Sequence, residues 1–382
     1  MKILVISHEY PPIGGGGANA CMNLAREYDK AGHIVKIITV WYEGQEDIST
    51  IGNVTICRVR SKRKKAEHCS FYEMLDYLFK AKPVVKKLVQ DEDFDICQVF
   101  FGIPSGPLGL YIKKRYGIPY VVRFGGGDIP GFQDRFASLY RIIGPAIKVI
   151  WNNADALVAN SEGLKRMALD FYDKNEVIII PNGVDINAFS DLETDIKEDR
   201  DPSIIRLLFV SRLIERKGLQ DVLPLLKQIQ EKCVELGKKI ELDVVGGGPY
   251  ADKLKEIVKR ENIEDMVAFL GQKTKSELAE YYSKADIFIF PSRKEGMPNV
   301  VLEAMSYGLP VVMTTCEGSD ELIQENGFAC SIDEFKDKII ELIKSPELRY
   351  SMGNMSIQLV KESFSWKRIA EKYLALFESV IG

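Results

Sequence analysis

No stretch of this sequence approaches the roughly 20 consecutive apolar residues that span a bilayer, so a transmembrane anchor is not expected. The opening run Met1 to Ser7 is apolar but short, ending at His8-Glu9 and Pro11-Pro12, so it does not read as a signal peptide. Cysteine is thinly scattered: Cys21, Cys57, Cys69, Cys97, Cys233, Cys316 and Cys330 are odd in number and form no Cys-x-x-Cys pair. Neither a disulfide framework nor a zinc site is expected, and a reducing cytoplasm suits the set. Charge of one sign is also missing. With 51 basic and 55 acidic side chains the net charge is −4, which gives no global attraction to a polyanion, so no nucleic-acid partner is expected and any basic surface must be local. Periodic repeats and low-complexity tracts are absent as well.

What is present is an alternation of short β-branched runs with longer amphipathic stretches, the pattern of parallel βαβ units, and the fold class read from it is α/β. The 382 residues favour two domains at roughly 100 to 200 residues each. Strands are expected over 2–7, 34–40, 54–58, 96–101, 120–123, 156–159 and 177–180, then over 207–210, 242–245, 267–270, 287–290 and 311–313. Between the two sets, Ser190 to Pro202 is almost wholly polar and reads as a linker. The acidic cluster Asp91 to Asp95 lies at a helix end before a strand and reads as a solvated turn rather than a metal site.

The segment from Phe290 to Val312 carries most of the chemistry. It places Glu295 on a loop after a strand. Pro298 and Asn299 then open a helix on which Glu303 lies one turn further along the same face. A helix N-terminus offers N–H groups and a partial positive charge suited to a diphosphate, and carboxylates accept hydrogen bonds from sugar and ribose hydroxyls. Taken alone, the two glutamates read equally well as surface residues of an amphipathic helix. Arg212 and Lys217 lie in the loop after the first strand of the second set, where open α/β sheets bind ligands, although solvated cations are the ordinary reading of such residues. Gly246 and Gly247 end another strand, where missing side chains let a nucleotide approach the backbone. Gly14 to Gly17, after the two prolines, form either a plain loop or a set of N–H donors for an anion.

In this order, Pro11 to Gly17, Ala159-Asn-Ser161, Ile180 to Asp185, Ser211-Arg-Leu with Lys217-Gly218, Val245 to Gly248, and Glu295 with Glu303 resemble the retaining glycosyltransferases of family 4. The resemblance covers nearly the whole chain. It implies the GT-B fold, two facing Rossmann-like domains with the active site in the cleft between them. The implied boundaries are 1–188 and 203–362, with a closing helix over 365–382 returning to the first domain. It further implies transfer of a sugar from a nucleotide-diphosphate donor, a UDP-sugar in preference to a GDP-sugar, to a saccharide or lipid-linked acceptor, with no metal and no cofactor. Arg212 and Lys217 match the diphosphate-binding pair and Glu303 the ribose-binding carboxylate. Glu295 matches the residue at the sugar hydroxyls. The backbone of Gly296, Met297, Pro298 and Asn299 matches the stretch near the phosphates, and Gly15, Gly16 and Gly17 match the loop that closes over the donor.

One departure stands out. Where the family commonly carries His-Gly-x-Asp at a strand end, this chain reads Arg123-Phe-Gly-Gly-Gly-Asp128, with Gly125 at the histidine position. The expected substitutes are Arg123 or the glycine backbone, with Asp128 facing the acceptor or, equally, capping a turn. The only histidines are His8, His33 and His68. A sugar-nucleotide epimerase would be expected to carry more, and a dinucleotide fingerprint is interrupted by the two prolines. A catalytically impaired sugar-nucleotide-binding protein or partner subunit stays open on the missing histidine. The basic run Arg58 to Lys65, followed by aromatic and aliphatic residues from Phe71, reads either as a solvated loop before a packed helix or as a peripheral contact with an anionic membrane.

Overall fold

The computed structural model describes residues 1–66, 69–132, 137–173, 176–186 and 201–382. His68 and all of the expected linker except Asp201 and Pro202 lie outside them. The chain forms two compact units, Met1–Asn182 with Trp366–Gly382, and Gly183–Ser365. The division falls ahead of position 188 because Val184 already belongs with the second unit: its N–H donates to the carbonyl of Phe364 at 2.7 Å.

The first unit is built on an eight-stranded sheet of β1 (Lys2–Ile6), β2 (Ile34–Val40), β3 (Ile48–Ile51), β4 (Val54–Val59), β5 (Ile96–Phe100), β6 (Tyr120–Arg123), β7 (Ala156–Ala159) and β8 (Val177–Ile179). Its order is β3-β4-β2-β1-β5-β6-β7-β8. Every pairing is parallel except β3 with β4. The sheet is buried on both faces, so the central strands are mostly apolar on both sides rather than alternating, with Gln98 of β5 a buried polar residue among them. Leu4 and Ile6 pack into one core with Tyr77, Val99 and Trp151. Ile3 and Val5 pack into the other with Leu24, Tyr28 and Phe377, as the two-residue period of a strand requires. The helix Trp366–Ile381 lies in that second core, with Tyr28 and Phe377 edge to face at 5.8 Å.

The second unit carries β9 (Ile204–Val210), β10 (Lys239–Val245), β11 (Val267–Gly271), β12 (Ile287–Phe290), β13 (Val311–Thr314) and β14 (Gly327–Cys330) in the order β11-β10-β9-β12-β13-β14, all parallel. Counted along the chain this is 3-2-1-4-5-6, the doubly wound order. Setting aside the antiparallel edge strand β3, the first unit repeats it with one further strand. In such sheets the order reverses beside the first strand, and the loops leaving there diverge into a crevice at the carboxyl ends. The two reversals fall between β1 and β5 and between β9 and β12.

Two strands escape sequence reading. β3 leaves Ile48 and Ile51 more than 60% exposed, so no burial pattern marks it, and β14 opens on Gly327, a poor strand former.

Candidate functional site

At the reversal in the second unit, three strand-end loops lock together through glycines. Gly246 (φ +138°) runs so close to the loop after β9 that a Cβ there would stand 1.8 Å from the Ser211 carbonyl oxygen. Leu213 N–H donates to the Gly247 carbonyl at 2.9 Å, fixing Arg212 between two anchored neighbours. On the other side Gly218 (φ +73°) would bring a Cβ to 1.8 Å from the Pro291 carbonyl oxygen. Arg293 N–H donates to the Arg216 carbonyl at 3.0 Å, joining the loops after β9 and β12.

This frame brings Lys217 and Glu295 into contact. Lys217 Nζ donates to Glu295 Oε1 at 2.6 Å with the two side chains only 11% and 12% exposed. Ser292 Oγ donates to the same oxygen at 2.6 Å and Arg216 Nη1 at 3.2 Å. Oε1 therefore takes three donors, while Oε2 takes none among the described residues. Burial pushes the Glu295 carboxyl up, but Lys217 and then Arg216 outweigh it and hold it below the ordinary carboxylate range. For Lys217 burial dominates and lowers its ammonium against the pull of Glu295, with Arg216 and Arg212 adding repulsion. Arg212 is exposed, and its guanidinium makes no hydrogen bond or ion pair among the described residues. A paired cation and an uncommitted one thus lie on the same loop.

Beyond Glu295 the backbone of Gly296 is held by the turn after β13: Glu295 N–H donates to Glu317 Oε2 at 3.3 Å, and a Cβ on Gly318 would stand 1.9 Å from the Gly296 carbonyl oxygen. Met297 and Pro298 are buried. Pro298 is the N-cap of the helix Asn299–Ser306 and supplies no side-chain cap. On this helix Glu303 Oε2 accepts from the hydroxyl of buried Tyr282 at 3.0 Å. Burial raises the Glu303 carboxyl, partly offset by that hydrogen bond.

Sequence reading missed Arg216, Ser292, Tyr282 and Glu317. Arg216, Tyr282 and Glu317 each touch a named site residue from a different loop or helix, whereas Ser292 reaches Glu295 from three residues earlier on the same loop. The positions of Arg216 beside Lys217 and of Ser292 near Glu295 were the available signals.

In the first unit the helix Gly16–Lys30 starts directly after Gly15, which as N-cap offers no side chain, so Gly15, Gly16 and Gly17 present bare backbone. Arg123, expected as a substitute for the histidine and on the possible acceptor side, is instead buried. It is 2% exposed, donates through Nη2 to Asn182 Oδ1, and lies over the Phe100 ring at 5.2 Å. As the last residue of β6 it points into the core shared with Tyr28 and Tyr373. Asp128 is likewise buried and serves as a clamp: Oδ2 accepts from Gly102 N–H at 2.6 Å and Oδ1 from Gly125 N–H at 2.8 Å. Burial raises its carboxyl, with the two N–H groups opposing. The turn-capping reading of Asp128 is the one the geometry carries.

The basic run is largely engaged within the fold. Arg58 donates to the Glu46 carbonyl and Ser49, Arg60 pairs with Asp47, and buried Arg63 donates to the carbonyls of Lys65 and Ala66. Among the described residues, no helix is long and apolar enough to cross a membrane.

Residues 14–188 match the family described as Glycosyltransferase Family 4, and residues 191–358 match Glycosyl transferases group 1. The chain is 26% identical to the alpha-monoglucosyldiacylglycerol synthase of Streptococcus pneumoniae, over 98% of this chain and 86% of that protein. It is also 26% identical to the N-acetyl-alpha-D-glucosaminyl L-malate synthase of Bacillus anthracis, over 100% of this chain and 98% of that one. In architecture it superposes on sucrose-phosphate synthase of Thermosynechococcus elongatus with a TM-score of 0.82 over 100% of this chain and 99% of that one, at 20% identity. The two matches together run from the glycine loop before the first helix to the helices after β14, and the fold they meet is GT-B: the chain belongs to glycosyltransferase family 4.

Proposed function

We propose that this glycosyltransferase takes its sugar from a UDP-sugar, or less favourably a GDP-sugar, transfers it with retention of anomeric configuration to a saccharide or lipid-linked acceptor, and needs no metal ion. The observation that carries the reading is the Lys217–Glu295 contact beside the uncommitted Arg212 at the β9/β12 reversal. Cleavage of the bond between the anomeric carbon and the diphosphate leaves negative charge on phosphate oxygens, while the acceptor oxygen bonds to that carbon and releases its proton to the leaving diphosphate. Preorganised cations stabilise that charge where water is excluded. Lys217 and Arg212 supply it, and the N-terminus of Asn299–Ser306 adds its dipole. Glu295 Oε2 and Glu303 Oε1, the carboxylate oxygens without donors among the described residues, are the acceptors for sugar and ribose hydroxyls. Holding Glu295 ionised keeps that acceptor available at neutral pH.

The names of the two relatives, one with a diacylglycerol product and one with a malate product, support a choice between lipid and small soluble acceptors without deciding it. Peripheral contact with an anionic membrane is supported by Tyr72 and Phe79, 64% and 72% exposed at i,i+7 on the helix Phe71–Asp91, beside Lys62.

A panel of UDP- and GDP-sugars tested for thermal stabilisation and slow hydrolysis examines the whole reading, because a ligand at 100 times its Kd stabilises by about 2.7 kcal/mol. At least one is expected to raise the melting temperature and be hydrolysed, also in the presence of EDTA. If none does either, the reading is wrong, and if EDTA abolishes turnover its metal-free part is.

A further inference from the structure

The β1/β5 reversal of the first unit holds a feature that the donor chemistry does not use. Phe101 follows β5 in the left-handed region, at φ +67°, where an aromatic residue is rare. That conformation swings its ring to where Cβ atoms of two neighbouring loops would otherwise stand. A Cβ on Gly17 would lie 2.4 Å from Phe101 Cζ, and one on Gly125 would lie 2.2 Å from Cε1. The loops are gathered around the ring by Asp128, which spends both carboxylate oxygens on the N–H groups of Gly102 and Gly125. Behind the ring, edge to face at 4.7 Å, lies the imidazole of His8, whose Nδ1 is buried without a partner among the described residues. The ring itself remains partly exposed.

A ring that merely filled a void would require neither an unfavourable backbone nor two glycines cleared on either side of it. Strain of this kind persists where the surroundings over-determine it, and it concentrates at ligand clamps. An aromatic ring whose neighbouring carboxylate is spent on backbone N–H groups, backed by a nitrogen awaiting a hydrogen bond, fits one side of a pyranose: C–H groups against the ring and hydroxyls at its edge.

We propose that Phe101 is the specificity-determining residue of the first unit, the wall against which the apolar face of a pyranose packs, so that it selects among sugars differing in the orientation of one hydroxyl. This inference rests on the glycosyltransferase reading above. The pyranose is that of the donor or that of the acceptor, and the experiment separates them.

Phe101→Leu and the volume-conserving Phe101→Met are compared with the parent protein in two assays. The first is hydrolysis of UDP-glucose and UDP-galactose. The second is saturation-transfer NMR with methyl α-D-glucopyranoside and methyl α-D-galactopyranoside. For a donor sugar, KM rises about tenfold for the preferred donor and the preference narrows, while inhibition by UDP stays the same. For an acceptor sugar, hydrolysis is unchanged and the NMR preference between the glycosides is lost. A folded Leu or Met variant that retains both preferences overturns the proposal, as does an equal fall in kcat for every donor with unchanged KM, which marks a structural role alone. If neither variant folds, Phe101→Tyr must retain the parent preferences, and their loss overturns it. Failure of the parent protein to bind or hydrolyse any sugar nucleotide overturns the parent reading, and this inference falls with it.

Discussion

The two sheets share a strand order and differ in what fills the reversal. Between β9 and β12 the loops bring together charge: Lys217 on Glu295, Arg216 on the same oxygen, Arg212 uncommitted. Between β1 and β5 they bring together a phenyl ring, a buried imidazole and a carboxylate whose oxygens are both taken by backbone N–H groups. One topology thus produces one crevice that gathers cations around a carboxylate and another whose carboxylate is spent on backbone N–H groups. What the fold fixes is the place at which loops diverge; what binds there is decided by a few side chains on those loops.

The sharpest way to break this comparison is to discharge the second crevice. Lys217→Met leaves Glu295 with Arg216 and Ser292 as its donors and removes one cation from the proposed diphosphate position. Turnover of the cognate sugar nucleotide is expected to fall by about 10²–10³. Arg212→Ala should also lower kcat, but without loss of thermal stability, since the side chain is exposed and its guanidinium makes no hydrogen bond or ion pair among the described residues. Steady-state rates and melting curves check both. Near-parent turnover in Lys217→Met would remove the charge-based distinction between the two crevices.

Glycine substitutions separate the crevices in another way. At Gly218 an added Cβ meets the Pro291 carbonyl, and at Gly125 it meets the Phe101 ring. The first obstacle is backbone and the second is a side chain that can be trimmed. Gly218→Ala is expected to lower stability by more than the roughly 1–3 kcal/mol of its backbone conformation alone, with no relief from a second substitution in a neighbouring side chain. Gly125→Ala should be destabilising by itself and largely rescued in combination with Phe101→Ala. Additive melting-temperature losses in that double variant would place the Phe101 ring elsewhere.

Acid should act on the two units in different windows. His8 is neutral in the folded protein because burial pushes it from 6.5 down to about 4, against the pull of Glu9. The unfolded chain takes up a proton below pH 6.5 that the folded chain refuses until about pH 4. Stability of the first unit therefore falls as pH drops through that window, by as much as about 3 kcal/mol. The stabilising ionisation of Glu295 is depressed from 4.5 in the fold, so its contribution is present above pH 4.5 and is lost only below it. Amide exchange of β1 and β9 between pH 6.5 and 4.5 should show the first unit loosening and the second holding. His8→Phe should flatten the first response.

Much of the fold is legible in the sequence. Short, nearly continuous apolar runs mark the parallel strands because a sheet covered on both faces demands them, and the spacing from Asn299 to Glu303 places both on one helix face. The contact between Lys217 and Glu295 was not legible, since it joins residues 78 apart in sequence through loops whose approach depends on Gly218 and Pro291. The same holds for Arg123. A cation at a strand end reads as a crevice residue, and only packing shows that this side chain turns into the core beside Asn182.

The finest test of the second crevice concerns Tyr282, whose hydroxyl donates to Glu303 at 3.0 Å from a fully buried ring stacked on Tyr307. Tyr282→Phe keeps the ring and the stack and removes one donor, so the fold should survive. A neutral hydrogen bond contributes about 0.5–1.5 kcal/mol, and somewhat more when its acceptor is charged. Glu303 would be left free to turn, and its raised carboxyl would rise further without the hydroxyl to stabilise its ionised form. If Glu303 grips a ribose hydroxyl in ground state and transition state alike, the donor's KM should rise several-fold with kcat unchanged, and the rise should be greater at acidic pH, where more of the loosened carboxyl is protonated. An equal fall in kcat and kcat/KM would instead put Glu303 in contact with groups that change during the reaction, moving it from the nucleotide end of the crevice to the sugar end.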